Sequence, residues 1–150
     1  MANEQMERIP VKIQVLTVIR QMDAEEQTEM SVSGVFYKEN NAYYLQYEEK
    51  QEAGSIRTVW KSSARELLLL RNGAVSMRMH FLKNKNKSNA HVNTGAGKIA
   101  FETELLSFQE DYQTGEALFL GNMSFQYDLL SQAEPIGSYT VTLKMEEDKA

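Results

Sequence analysis

The sequence predicts an all-β protein, an antiparallel up-and-down meander closed into a barrel. Three observations carry this. Long stretches alternate with a period of two: Phe119, Gly121, Met123, Phe125, Tyr127 and Leu129 fall on one face of a strand, and Tyr139, Val141, Leu143 and Met145 repeat the pattern in the next. No window combines a 3.6-residue period with helix caps. Finally, short turn signals such as Asn40-Asn41 and Asn72-Gly73 separate alternating runs. About ten short strands joined in order make a sheet that must curl, and closure removes its exposed edges.

Taken in order, the first strand is expected over residues 9–20, with Ile9, Val11, Ile13, Val15, Thr17 and Ile19 on one face. The acidic stretch 23–27 reads as a connection. Residues 28–39 and 42–49 form a hairpin around Asn40-Asn41, because asparagine tolerates the positive φ of a two-residue turn. That turn pairs Glu39 with Ala42, Lys38 with Tyr43, Phe36 with Leu45 and Gly34 with Tyr47, placing an aromatic ring over a glycine where the sheet bends.

Residues 55–61 carry Ile56, Thr58 and the single tryptophan, Trp60, on one face. Residues 65–71 and 74–83 read as a hairpin around Asn72-Gly73, with Leu70 opposite Val75 and Leu68 opposite Met77. The same register sets Leu69 opposite Ser76, Leu67 opposite Arg78 and Arg65 opposite His80, so Leu67 and Leu69 fall on a mainly polar outer face. After the basic turn 83–87 and a strand over 88–94, Gly95-Ala96-Gly97 makes a tight corner. Residues 99–112 change alternation phase between Leu105 and Leu106, the mark of a β-bulge. Thr114-Gly115 turns the chain back, and residues 132–136 lead into the last strand. A single domain over 9–146 is expected, with frayed ends at 1–8 and 147–150.

Composition narrows the function. Sixteen basic residues against 21 acidic ones give a net charge of −5, which argues against nucleic-acid binding. With no cysteine there is no disulfide framework and no thiolate chemistry, and a cytoplasmic location is the simplest match. No signal peptide or membrane span is read, so no membrane partner is expected.

No catalytic constellation is visible. His80 and His91 lie on different strands without a metal-ligand spacing, His80 reading as a solvated outer residue beside Arg78. Glu102 and Glu104 share a face, which would suit paired carboxylates, but that face lies opposite Phe101 and reads as solvent-facing. There is no nucleophile elbow and no phosphate-binding glycine pattern. Lys83, Lys85 and Lys87 read as a soluble hairpin tip. No metal or cofactor is expected.

The aromatic residues divide two readings. Phe36, Tyr43, Tyr47, Trp60, Phe81, Phe101, Phe119, Phe125, Tyr127 and Tyr139 all occupy inward positions. Either they fill the barrel, or Tyr47, Trp60, Phe101, Phe125 and Tyr127 line a site for a small, mostly apolar molecule.

Thr58-Val59-Trp60-Lys61, Arg71-Asn72-Gly73, the Thr94 to Gly97 corner and Phe101-Glu102-Thr103 together resemble the YwiB-like family of uncharacterised bacterial proteins, across nearly the whole chain. The family's corner more often holds proline and an aromatic where Gly95 and Ala96 stand here. The resemblance implies a calycin-like, lipocalin-related barrel and no established activity. The expected function is therefore non-enzymatic binding of a small apolar molecule inside the barrel. The alternative is a filled barrel acting as a protein-interaction or self-assembly module through an outer patch of Leu67, Leu69, Leu118 and Leu120.

Overall fold

A computed structural model describes residues 6–52, 54–114 and 118–149. Ten antiparallel strands follow one another: β1 (Met6–Gln21), β2 (Ala24–Glu39), β3 (Ala42–Gln51), β4 (Gly54–Ser62), β5 (Glu66–Asn72), β6 (Ser76–Leu82), β7 (Lys87–Thr94), β8 (Gly97–Gln113), β9 (Leu120–Ser131) and β10 (Glu134–Glu147). Each pairs with its neighbours in sequence, and β10 returns to β1, so the meander closes into a barrel. The fold class read from the sequence is the one observed.

The β2–β3 register is the expected one, from Glu39 opposite Ala42 to Gly34 opposite Tyr47. Asn40 and Asn41 both take positive φ, at 51° and 63°. The bulge in β8 is present as well, since the pairing with β9 slips between Leu105 and Ser107. It returns Phe108, Glu110 and Tyr112 to the inward phase opposite Phe125, Met123 and Gly121.

The β5–β6 hairpin differs from expectation. Leu70 faces Arg78, Leu69 faces Met79, Leu68 faces His80 and Leu67 faces Phe81. The shift is an odd number of residues, so the faces exchange. Leu67 and Leu69 are buried inside the barrel, at 0% and 5% exposure, and cannot form an outer patch. The cause lies at Gly73, where an added Cβ would stand 2.3 Å from the Ser55 carbonyl oxygen and 3.0 Å from the Ile56 Cα. Glycine is required there for close backbone approach, and neither Asn72 nor Gly73 adopts positive φ. The run of four leucines gives no phase of its own.

Other differences are smaller. The acidic stretch 23–27 is mostly strand, because β1 and β2 remain paired as far as Gln21 opposite Ala24. The β9–β10 turn is two residues long, with Gln132 and Ala133 both at positive φ. At the N-terminus β1 already begins at Met6, while 1–5 lie outside the described residues, as does Gly115 of the expected turn. Glu147 and Asp148 are clamped, their amides donating to the carbonyls of Phe119 and Pro10.

Candidate functional site

The five residues expected to line the interior do converge there. Trp60 meets Phe125 edge-on at 5.5 Å between ring centroids, Phe125 stacks on Tyr127 at 6.0 Å, and Phe101 packs against the same cluster. The Trp60 indole N–H donates to the Tyr47 hydroxyl at 3.0 Å. Burial pushes the Tyr47 phenol up to about 12, although the Trp60 hydrogen bond pulls the other way. Burial also raises Tyr127, whose ring lies 4.8 Å from that of Tyr139 and almost parallel to it.

Further rings leave little room. Phe81 touches both Phe125 and Tyr127, while Phe36 packs on Tyr43, Tyr112 and Phe119. The void bounded by Phe36, Tyr43, Leu45, Trp60, Ser62, Tyr112, Met123 and Met145 is about 10 Å³. One water needs about that much, and a ligand pocket about 300–1,000 Å³.

Both ends of the packed interior are closed by polar networks. At the end of the barrel that carries the β2–β3 turn, the Lys83 ammonium donates to the Ser62 hydroxyl at 2.8 Å, the Ser63 carbonyl at 2.6 Å and Glu110 at 3.4 Å, and it lies 4.1 Å above the Phe108 ring. Glu110 also accepts from Ser62 and from the Tyr112 hydroxyl. Burial raises the Tyr112 phenol first, and Glu110 adds to the effect. Lys83 is thus a structural plug, unlike the solvated tip expected of it. The bulge after Leu105, which turns Glu110 inward, was the available sequence signal.

At the opposite end, Arg71 and Thr58 both donate to Glu49, each at 2.9 Å. His80 lies on the outer face, as expected, but is partnered: one ring nitrogen meets Glu66 at 2.7 Å and the other meets the Ser88 hydroxyl. The His80 hydrogen bond is the main cause holding the Glu66 carboxyl below its ordinary range. Glu102 caps the β9–β10 turn by accepting from the Ala133 amide.

The larger concavity lies on the outer wall. Two cross-strand rows of outward side chains run over four strands, Ser31–Gln14–Lys144–Asn122 and Ser33–Lys12–Glu146–Leu120. Between them is the backbone of the inward row Val32–Ile13–Met145–Gly121, and the resulting groove holds about 680 Å³. Serine on β2 keeps it open, while Gly121 faces inward against Met145 and Phe119. Leu120 is 49% exposed on its rim and Leu118, just before β9, is 38% exposed.

The family model for the domain of unknown function DUF1934 matches residues 13–143, from the middle of β1 to Leu143 in β10. The chain belongs to the DUF1934 family. A relative from Bacillus subtilis (strain 168), described as the uncharacterized β-barrel protein YwiB, is 28% identical over 135 residues, covering 89% of this chain and 92% of its own. The crystal structure of the ywiB protein from Bacillus subtilis superposes with a TM-score of 0.82 at 26% identity, covering 97% of this chain and 96% of that one. The DUF1934 family and its barrel are thus established for this chain, as the sequence resemblance implied.

Proposed function

We propose that this protein is a non-enzymatic protein-interaction module whose barrel is a filled, rigid support for its outer wall. The contrast in volume carries the reading: about 10 Å³ beside the Phe36, Trp60 and Tyr112 rings against about 680 Å³ in the outer groove. Of the two readings drawn from the sequence, packing favours the second, with Leu118 and Leu120 remaining from its expected patch. Three inter-strand spacings make the groove about 14 Å long, suited to a short extended segment of a protein partner. Lys12, Lys144 and Glu146 offer it charge and Leu120 an apolar contact. The lack of cysteine favours a cytoplasmic setting.

The test is photo-crosslinking in the source cells, with a photoreactive residue at Ser33 or Asn122 in the groove and at Glu104 on β8, outside the groove. A single partner peptide joined from both groove positions, and lost in Leu120→Glu, supports the proposal. Equal labelling from all three positions, or none from the groove, refutes it.

A further inference from the structure

We infer that the free edge of β2 accepts an extended protein segment that alternates basic and apolar residues. This rests on the interaction-module reading and names a partner chemistry for it.

Although the barrel is closed, its wall is incomplete. β2 pairs with β1 along its whole course from Ala24, but with β3 only from Gly34 to Glu39. Among the described residues, no strand pairs with the other side of 24–33. At about 3.3 Å per residue, this is roughly 33 Å of main chain with one set of hydrogen-bonding groups turned to solvent. The parting point is Gly34, where a Cβ would fall 2.3 Å from the Gln46 carbonyl oxygen. There the two strands are at close approach, and beyond it β3 continues paired with β4 alone.

Long unpaired edges attract other strands, and proteins blunt them with charge. Here the charge is predominantly acidic, although Arg20 on β1 already pairs with Glu25 at 2.8 Å. Glu25, Glu26 and Glu29 lie along β2 with Asp23 in the turn before it, and Glu48 on the end of β3 and Glu52 just beyond it flank Lys50. Such an edge repels acidic and like copies of itself and admits a cationic strand.

The alternation is fixed as well. Glu25 and Glu29 share the outward phase with Ser31 and Ser33, while Met30 and Val32 take the inward phase, half-buried against the core. Met30 and Val32 have a cross-strand neighbour on β1 only, Val15 and Ile13 respectively. A strand added to this edge would set lysine or arginine outward beside the glutamates and apolar side chains inward over Met30 and Val32.

The test uses the full chain labelled with ¹⁵N and two capped synthetic peptides of about ten residues, one alternating lysine and valine and one alternating glutamate and valine. The lysine–valine peptide should shift the amide signals of 24–33 and slow their hydrogen exchange. Its binding should weaken about ten-fold or more between about 50 and about 300 mM salt, and again in Glu25→Lys/Glu29→Lys. Glu25→Gln/Glu29→Gln, which keeps the side-chain shape, should weaken it less, and Leu120→Glu should bind as the wild type does.

Equal binding of the glutamate–valine peptide, or no binding of either, overturns the inference. So does a perturbation confined to the groove and lost in Leu120→Glu, which would leave the interaction-module reading intact. Self-association without peptide that disappears in the double lysine variant would place a second copy on the edge and likewise overturn it. Absence of peptide binding together with specific groove crosslinks would separate failure here from failure of the proposed function.

Discussion

Phe125→Ala is the most informative substitution. The ring is 1% exposed and contacts Trp60, Phe81, Phe108 and Tyr127, with centroids between 5.5 and 6.3 Å. Truncating such a ring removes its transfer free energy and leaves a cavity that a rigid barrel wall cannot close, a loss of about 3–5 kcal/mol. For a chain of this size, 1 kcal/mol shifts Tm by about 2–4 °C, so a fall of about 6–20 °C is expected. Urea unfolding followed by fluorescence suits the measurement, because the single tryptophan is Trp60 itself, in contact with the altered site. Circular dichroism on the same samples checks that the transition remains two-state. Benzene should restore part of the stability to the variant and leave the wild type unchanged, since only the variant has a void of ring size. A loss below about 1.5 kcal/mol with an unchanged denaturant slope would mean that the ring borders empty space, and the argument from packing would fail.

Further outcomes follow from the same contacts. Gly34→Ala should cost about 2–3 kcal/mol, because the new Cβ meets backbone at 2.3 Å; Gly121→Ala, which meets the flexible Met145 side chain at 2.7 Å, should cost less in the same denaturation assay. Lys83→Met should lose about 1–3 kcal/mol by leaving Glu110 without its cation, and Lys83→Met/Glu110→Gln should recover part of it in a double-mutant cycle. Glu66 is held below its ordinary value of 4.5 by His80, so its contribution is present above that value and lost as pH falls through the lowered folded value. Acid titration should therefore show a steeper loss of stability for the wild type below about pH 4.5 than for Glu66→Gln.

How far the sequence disclosed this structure depends on what set each register. Where a turn was fixed by its own residues, as at Asn40-Asn41, counting outward placed every pair from Glu39–Ala42 to Gly34–Tyr47. Asn72-Gly73 has the same local signal, but tertiary contact decides its use: Gly73 is pressed against Ser55 and Ile56, and the hairpin opens around it. An uninterrupted leucine run cannot reveal the consequence, since either phase buries two leucines. The turn at Gln132-Ala133 lacks any favoured residue for positive φ and was invisible for that reason.

The inward aromatics were legible because strict alternation marks the core face whatever the register of neighbouring strands. Lys83 was not, because its partners Ser62 and Glu110 lie 21 and 27 residues away. The outer groove was equally hidden. Its rows join Ser31, Gln14, Lys144 and Asn122 from four strands, and only the closed β1–β10 pairing brings them side by side.

Native mass spectrometry of the protein purified from its source cells tests the central claim most directly. A filled barrel predicts the mass of the chain, alone or with a second protein attached, and no reproducible small-molecule addition. A constant extra mass of a few hundred daltons, released on denaturation, would contradict it and return Tyr47, Trp60, Phe101, Phe125 and Tyr127 to the role of ligand-lining residues.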